Sequence, residues 1–171
     1  YSFLGYDPVM RVTCRNGLVT IESSMQEIPS QTITTSQPLQ VLREILNRYQ
    51  SPRLEGEPPF TGGFVGYFAY AMIGYAEPTL HISRGEANDY DLMLFDKVIA
   101  YDHLKQKIGI VVNMRTGRPV LNQSGSRGLV TINPPSPDSR PKETQYLEYL
   151  MKEYGRACGE IEAIASLIHE T

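Results

Sequence analysis

From Met10 to Glu22 apolar and polar residues alternate with a period of two around an Asn16-Gly17 pair, the pattern of a β-hairpin closed by a two-residue type I′ turn in which both central residues take positive φ. A two-residue loop fixes the register. Cys14 faces Val19 and Val12 faces Ile21 on a core side, while Arg11 meets Glu22 and Thr13 meets Thr20 on a wet side. Arg11 is therefore read as the cation of a cross-strand pair with Glu22, and Arg15 as a solvent-facing arginine, in preference to an anion site. The chain opens in a strand, and Ser23–Thr35 is a polar connection carrying one short strand. The period then changes to that of a helix. Ser36 is the expected cap, Pro38 lies in the first turn, and Leu39, Leu42, Ile45, Leu46 and Tyr49 form the apolar stripe before Pro52 ends it. Leu92–Asp102 and Lys107–Met114 are rich in β-branched residues and predict a second hairpin turning at His103–Gln106. From Glu143 to Glu170 helical spacing returns, with Leu147, Leu150, Met151, Tyr154, Cys158, Ile161, Ala165 and Ile168 on one stripe read as core. Gly155 and Gly159 interrupt it. Each costs a helix interior about 1 kcal/mol relative to alanine, so a kink or close packing is expected there.

Between the two hairpin patterns lies Pro58–Pro78, PPFTGGFVGYFAYAMIGYAEP, with no charge from Phe60 to Ala76. Gly62, Gly63, Gly66 and Gly74 alternate with Phe60, Phe64, Tyr67, Phe68, Tyr70 and Tyr75, which suits a sheet edge where backbones approach closely. A phosphate-cradling loop would need a Gly-Lys-Ser/Thr ending, which is missing. The segment is read as buried strand and turn, followed by a polar loop over Thr79–Asn88 that holds His81.

The 171 residues, 41% of them hydrophobic, suffice for one sizeable core and a single domain. Sixteen basic and nineteen acidic residues are dispersed, for a net charge of -3, and leave no basic footprint for nucleic acid. The run Phe64–Ala76 is shorter than the roughly twenty apolar residues of a membrane span, so no membrane partner is expected. Cys14 and Cys158 lack CxxC spacing and read as reduced packing residues of a cytoplasmic protein. Arg115–Pro141 is rich in Gly, Pro, Ser and Asn, and 115–141 is expected to be a mobile loop apart from Leu129–Ile132, a candidate short strand.

Candidate chemistry is sparse. His81, His103 and His169 show no HExxH spacing, there is no GxSxG elbow, and neither cysteine has an activating context. Asp89, Asp91, Asp96 and Asp102 raise the question of a hard-metal site built from oxygen ligands, but their spacing is not that of a calcium loop, and they read as strand-end polar groups. Tyr70 and Tyr75 read as structural tyrosines. No catalytic residue and no metal ligand is expected in these residues.

Three motifs in order, YSFLGYDP (Tyr1–Pro8), FTGGFVGYFAY (Phe60–Tyr70) and DYDLMLFDKVIAYDH (Asp89–His103), resemble the N-terminal domain of anthranilate synthase component I and its relative, aminodeoxychorismate synthase component I. The resemblance covers roughly the first 110 residues. It implies an α+β fold, an antiparallel β-sheet sandwich-like domain with flanking helices. It also implies a chorismate-using parent enzyme whose C-terminal domain, absent here, binds chorismate and magnesium, and whose ammonia comes from a glutamine amidotransferase subunit. The N-terminal domain would scaffold the catalytic one and help form a tryptophan pocket for feedback inhibition, with Tyr1 and Ser2 assigned to its wall. One departure stands out: the aspartate that usually follows the tyrosine of FVGYFAY is Ala71 here, which puts in doubt any polar contact made at that position. The chain begins without methionine in a strand pattern and stops at Thr171 after a helix pattern, and is read as an inactive fragment of the tryptophan-pathway enzyme. The alternatives are the folate-pathway relative and a stand-alone ligand-binding module.

Overall fold

The first hairpin forms where the alternation places it. In a computed structural model of the chain, which describes residues 1–25, 28–83, 85–114 and 143–169, strand β2 (Met10–Arg15) pairs antiparallel with β3 (Leu18–Ser23) in the expected register, Cys14 opposite Val19 and Val12 opposite Ile21. Asn16 and Gly17 take φ of 52° and 78°, as a type I′ turn requires. A side chain at Gly17 would also run into the carbonyl of Thr35. The expectations for 115–141, including the strand at Leu129–Ile132, lie outside the described residues.

Among the described residues the strands form two antiparallel sheets, which with the helices give an α+β fold. The five-stranded sheet runs β4 (Gln31–Thr34), β3, β2, β6 (Tyr90–Phe95), β5 (Gly63–Phe68), and the three-stranded sheet runs β1 (Ser2–Gly5), β7 (Lys97–Asp102), β8 (Lys107–Val112). The hairpin of β7 and β8 turns at 103–106 as expected. Its first strand, however, is not one element from Leu92 to Asp102. The chain bends at Asp96 and passes from one sheet to the other. Asn113 holds the corner: its backbone N–H donates to the Asp96 carbonyl (2.8 Å), and its side-chain amide donates to the carbonyls of Thr61 (2.7 Å) and Asp96 (3.1 Å).

Helix α1 (Pro38–Arg48) closes one face of the larger sheet. Val41, Leu42 and Ile45 join Val12, Ile21, Ile28 and Tyr90 in the core, and the buried Tyr90 hydroxyl donates to the Pro38 carbonyl (3.3 Å). Two expectations change here. The N-cap is Gln37 rather than Ser36, and it makes no side-chain cap bond. The hydroxyl of Thr35 accepts from the Gln37 N–H instead (3.0 Å). Leu46 is 43% exposed and lies off the buried stripe.

Helix α3 (Glu143–His169) runs unbroken through both glycines, and a Cβ at Gly155 or Gly159 would meet nothing within 4 Å. Neither a break nor close packing compensates them. The face against the protein is also not the predicted stripe: Ala157 and Ile164 are buried, while Leu147, Met151, Tyr154 and Ile161 are exposed. Charge turns the helix this way. Lys97 Nζ lies 3.1 Å from Glu160, Arg156 bridges Glu153 (3.2 Å) and Glu160 (3.1 Å), and the Lys97 ammonium sits over the Tyr6 ring at 5.2 Å. Burial pulls the Lys97 ammonium down, and its bond to Glu160 more than restores it. No described helix is long and apolar enough to cross a membrane.

Candidate functional site

The uncharged segment between the hairpins lies at the surface, contrary to the expectation of burial. Among the described strands β5 is the last of its sheet and pairs with β6 alone, so no described strand covers its outer side. Val65, Tyr67 and Phe68 are 45–54% exposed, and Tyr70 reaches 84%. After Phe68 the chain makes a 3-10 turn (Tyr70–Met72) and one short helix, α2 (Ile73–Ala76), in which Ile73 is exposed too. Gly66 serves the close approach foreseen for an edge: a Cβ there would collide with the Asp91 carbonyl across the ladder. Ala71 sits half-buried in the 3-10 turn.

An exposed apolar segment keeps its shape only if something underneath holds it. Here that is Asp89, 3% exposed. Its Oδ2 accepts from the Tyr75 hydroxyl (2.7 Å), the Asn16 N–H (2.8 Å) and the Cys14 thiol (3.7 Å), while its backbone N–H donates to Cys14 and its carbonyl accepts from Ala69. One residue thus joins the I′ turn, the inner strands and the segment after β5. Met72 in the 3-10 turn, 8% exposed, joins the core cluster that holds Cys14 and Tyr90. Burial raises the Cys14 thiol, and raises the Tyr90 phenol well above its ordinary value; a thiol shifted upward is the poorer nucleophile. The cluster is an anchor rather than a reactive centre. Tyr75 and Asp89 were visible in the sequence only as a structural tyrosine and a strand-end acid. The one signal for their pairing is a lone Asp where a polar loop meets an apolar strand.

Tyr1 and Ser2 stand at the other sheet. The neighbouring Asp102 carboxylate raises the Tyr1 phenol. The Asp102 carboxyl is held low by the Lys105 backbone N–H and by Tyr1. Ser2 Oγ lies 2.7 Å from His103 Nε2, and the imidazole meets the Tyr101 ring edge-on at 4.9 Å. Tyr1 stacks on Phe3 (5.9 Å), which meets Phe60 edge-on (5.6 Å). The structure brings the two predicted wall residues into one corner with Asp102 and His103, and leaves Tyr1 54% exposed. A serine beside a histidine suggests a nucleophile and its base. Asp102 Oδ1, however, accepts from the N–H groups of Leu104 and Lys105 at 3.0 Å each, so this acid caps a turn.

The remaining aspartates go separate ways. Asp91 accepts from Arg11 Nε at 2.9 Å and from Nη2 at 2.7 Å, and the guanidinium draws its carboxyl below the usual range. This replaces the expected Arg11–Glu22 pair, because Asp91 on β6 offers a bidentate partner diagonally across the other ladder. Asp96 marks the bend between sheets. Among the described residues no group of three His, Cys, Asp or Glu side chains is placed to hold a metal ion. Both cysteines carry free thiols.

No family model matches this chain. It is 31% identical over 116 residues to anthranilate synthase component 1 of Acetivibrio thermocellus, covering 67% of this chain and 23% of the relative. To anthranilate synthase component 1 of Acinetobacter calcoaceticus it is 32% identical over 124 residues, covering 68% and 24%. The crystal structure of anthranilate synthase component I from Streptococcus pneumoniae TIGR4 superposes with a TM-score of 0.53 at 27% identity, over 66% of this chain and 24% of that one. The chain spans about a quarter of the length of the relatives it matches.

Proposed function

Since about two thirds of this chain is homologous to anthranilate synthase component I, we propose that it acts as the N-terminal scaffold and regulatory domain of such an enzyme. The whole enzyme would convert chorismate and ammonia, delivered by a glutamine amidotransferase subunit, into anthranilate and pyruvate in the cytoplasm. Magnesium and chorismate would bind to a C-terminal domain outside these residues, and this chain alone would not turn chorismate over. The observation that carries the reading is the exposed, uncharged face of β5 and α2, anchored from below by Asp89. A contiguous apolar surface of this kind suits a docking face for a larger domain. Tyr1 and Ser2 would wall a tryptophan site: the exposed Tyr1 ring offers a stacking surface and Ser2 a hydroxyl beside it. The tryptophan pathway is favoured over folate synthesis because these relatives carry the name anthranilate synthase.

The test is to incubate the purified chain with chorismate, ammonium and magnesium, following anthranilate fluorescence, and to titrate tryptophan by calorimetry. No product is expected, together with tryptophan binding that weakens in Tyr1→Ala. Chorismate consumption by the chain alone would defeat the scaffold reading. Tryptophan binding left unchanged by Tyr1→Ala would remove that residue from the site.

A further inference from the structure

The apolar stripe of α3, with Leu147, Met151, Tyr154 and Ile161 exposed and Cys158, Ala165 and Ile168 half-buried, has a spacing of its own. Leu147, Met151, Tyr154, Cys158, Ile161, Ala165 and Ile168 alternate steps of four and three, the repeat of a coiled-coil seam sustained for three heptads. Leu147 is 56%, Met151 75% and Tyr154 64% exposed. The two flanks of the seam differ. Along one, Ala157 and Ile164 are buried in the protein's own packing, so nothing can enter from that side. Along the other lie Glu148, Gly155 and Glu162, all exposed, and the space beside Gly155 is open for 4 Å.

We propose that this face of α3 binds an amphipathic helix from a different protein, one with a matching four-three apolar repeat and basic residues on the flank that meets Glu148 and Glu162. The spacing calls for a helix, since only a helix laid nearly parallel keeps side chains in register with steps of four and three. The acids select its charge. A second copy of α3 is a poor occupant. Laid antiparallel it would set Glu148 against Glu162 of the copy, and laid parallel its acidic flank would need the side already closed by Ala157 and Ile164. The helix would dock there whether or not the chain serves a synthase.

The probe is a synthetic 21-residue peptide with leucine at every seam position and lysine at the flanking positions, compared with a twin carrying glutamate there. Fluorescence anisotropy should show the lysine peptide binding about tenfold more tightly than its twin, from opposed and like charge pairs along a helix. Doubly substituted Glu148→Lys, Glu162→Lys protein should reverse that preference. Met151→Glu, at an exposed position that keeps the helical circular dichroism, should abolish binding. The proposal is overturned if neither peptide binds, if both bind equally, or if Met151→Glu leaves binding intact. Sedimentation showing a dimer that Met151→Glu dissolves would also overturn it, in favour of self-pairing.

Discussion

The Tyr75 hydroxyl and the Asp89 carboxylate, 2.7 Å apart, connect a surface of exposed rings to the interior of the sheet. A hydrogen bond to a carboxylate contributes about 1–3 kcal/mol, and the Tyr75 hydroxyl is one of three donors to Asp89 Oδ2, beside the Asn16 N–H and the Cys14 thiol. Tyr75→Phe is therefore expected to lower stability by that amount in urea unfolding. Because Tyr75 holds α2, the cut rate of the 77–83 loop under limited proteolysis should rise as well. An unchanged midpoint would mean that Asp89 is satisfied without the tyrosine.

Gly66 faces the Asp91 carbonyl with no room for a Cβ. Gly66→Ala must push β5 away from β6 or bend it, at a cost of about 1–3 kcal/mol typical of overpacking. Thermal melting with amide hydrogen exchange would locate the loss at the β5 edge, with the hairpin of β2 and β3 still protected.

The bidentate Arg11–Asp91 pair sets an acid limit. The guanidinium lowers the Asp91 carboxyl in the folded state, so its contribution is fully present above the ordinary aspartate value, near pH 4, and is lost as the pH falls through the depressed folded value. Arg11→Leu should leave a shallower fall of melting temperature as the pH drops below about 4. Equal slopes for both proteins would show that the pair adds nothing to acid stability.

Gly159 lies on the outer side of α3, and a methyl group placed there would have nothing within 4 Å of it. Gly159→Ala should stabilise the chain by about 1 kcal/mol, or roughly 2–4 °C in melting temperature for a chain of this size. A decrease would place a neighbour at that position.

The first hairpin was legible to the residue because a two-residue turn leaves no freedom in register and a period of two leaves none in facing. Pro38 and the stripe of α1 were likewise local signals. What escaped depends on neighbours distant in sequence. Nothing within Leu92–Asp102 says that Asp96 must bend, since Asn113 makes the corner. Nothing in GFVGYF says which flank a strand will have, so its apolar content predicts burial where the fold leaves an exposed edge. The stripe of α3 was found, but its direction was set by Lys97 and Glu160, a pairing that periodicity cannot see. The corner that Tyr1 and Ser2 share with Asp102 and His103 likewise arises only when β1 reaches β7.

That corner has a consequence for how the chain is made. Ser2 and His103 are 101 positions apart, and at about 5–20 residues per second the ribosome delivers His103 roughly 5–20 s after Ser2. The strand Ser2–Gly5 carries no charge and, among the described strands, pairs with β7 alone. The hairpin of β2 and β3, by contrast, can close within microseconds of emerging. Among the described strands, the one synthesised first is thus left longest without its mate, and a nascent chain that stalls before Asp102 would display it unprotected.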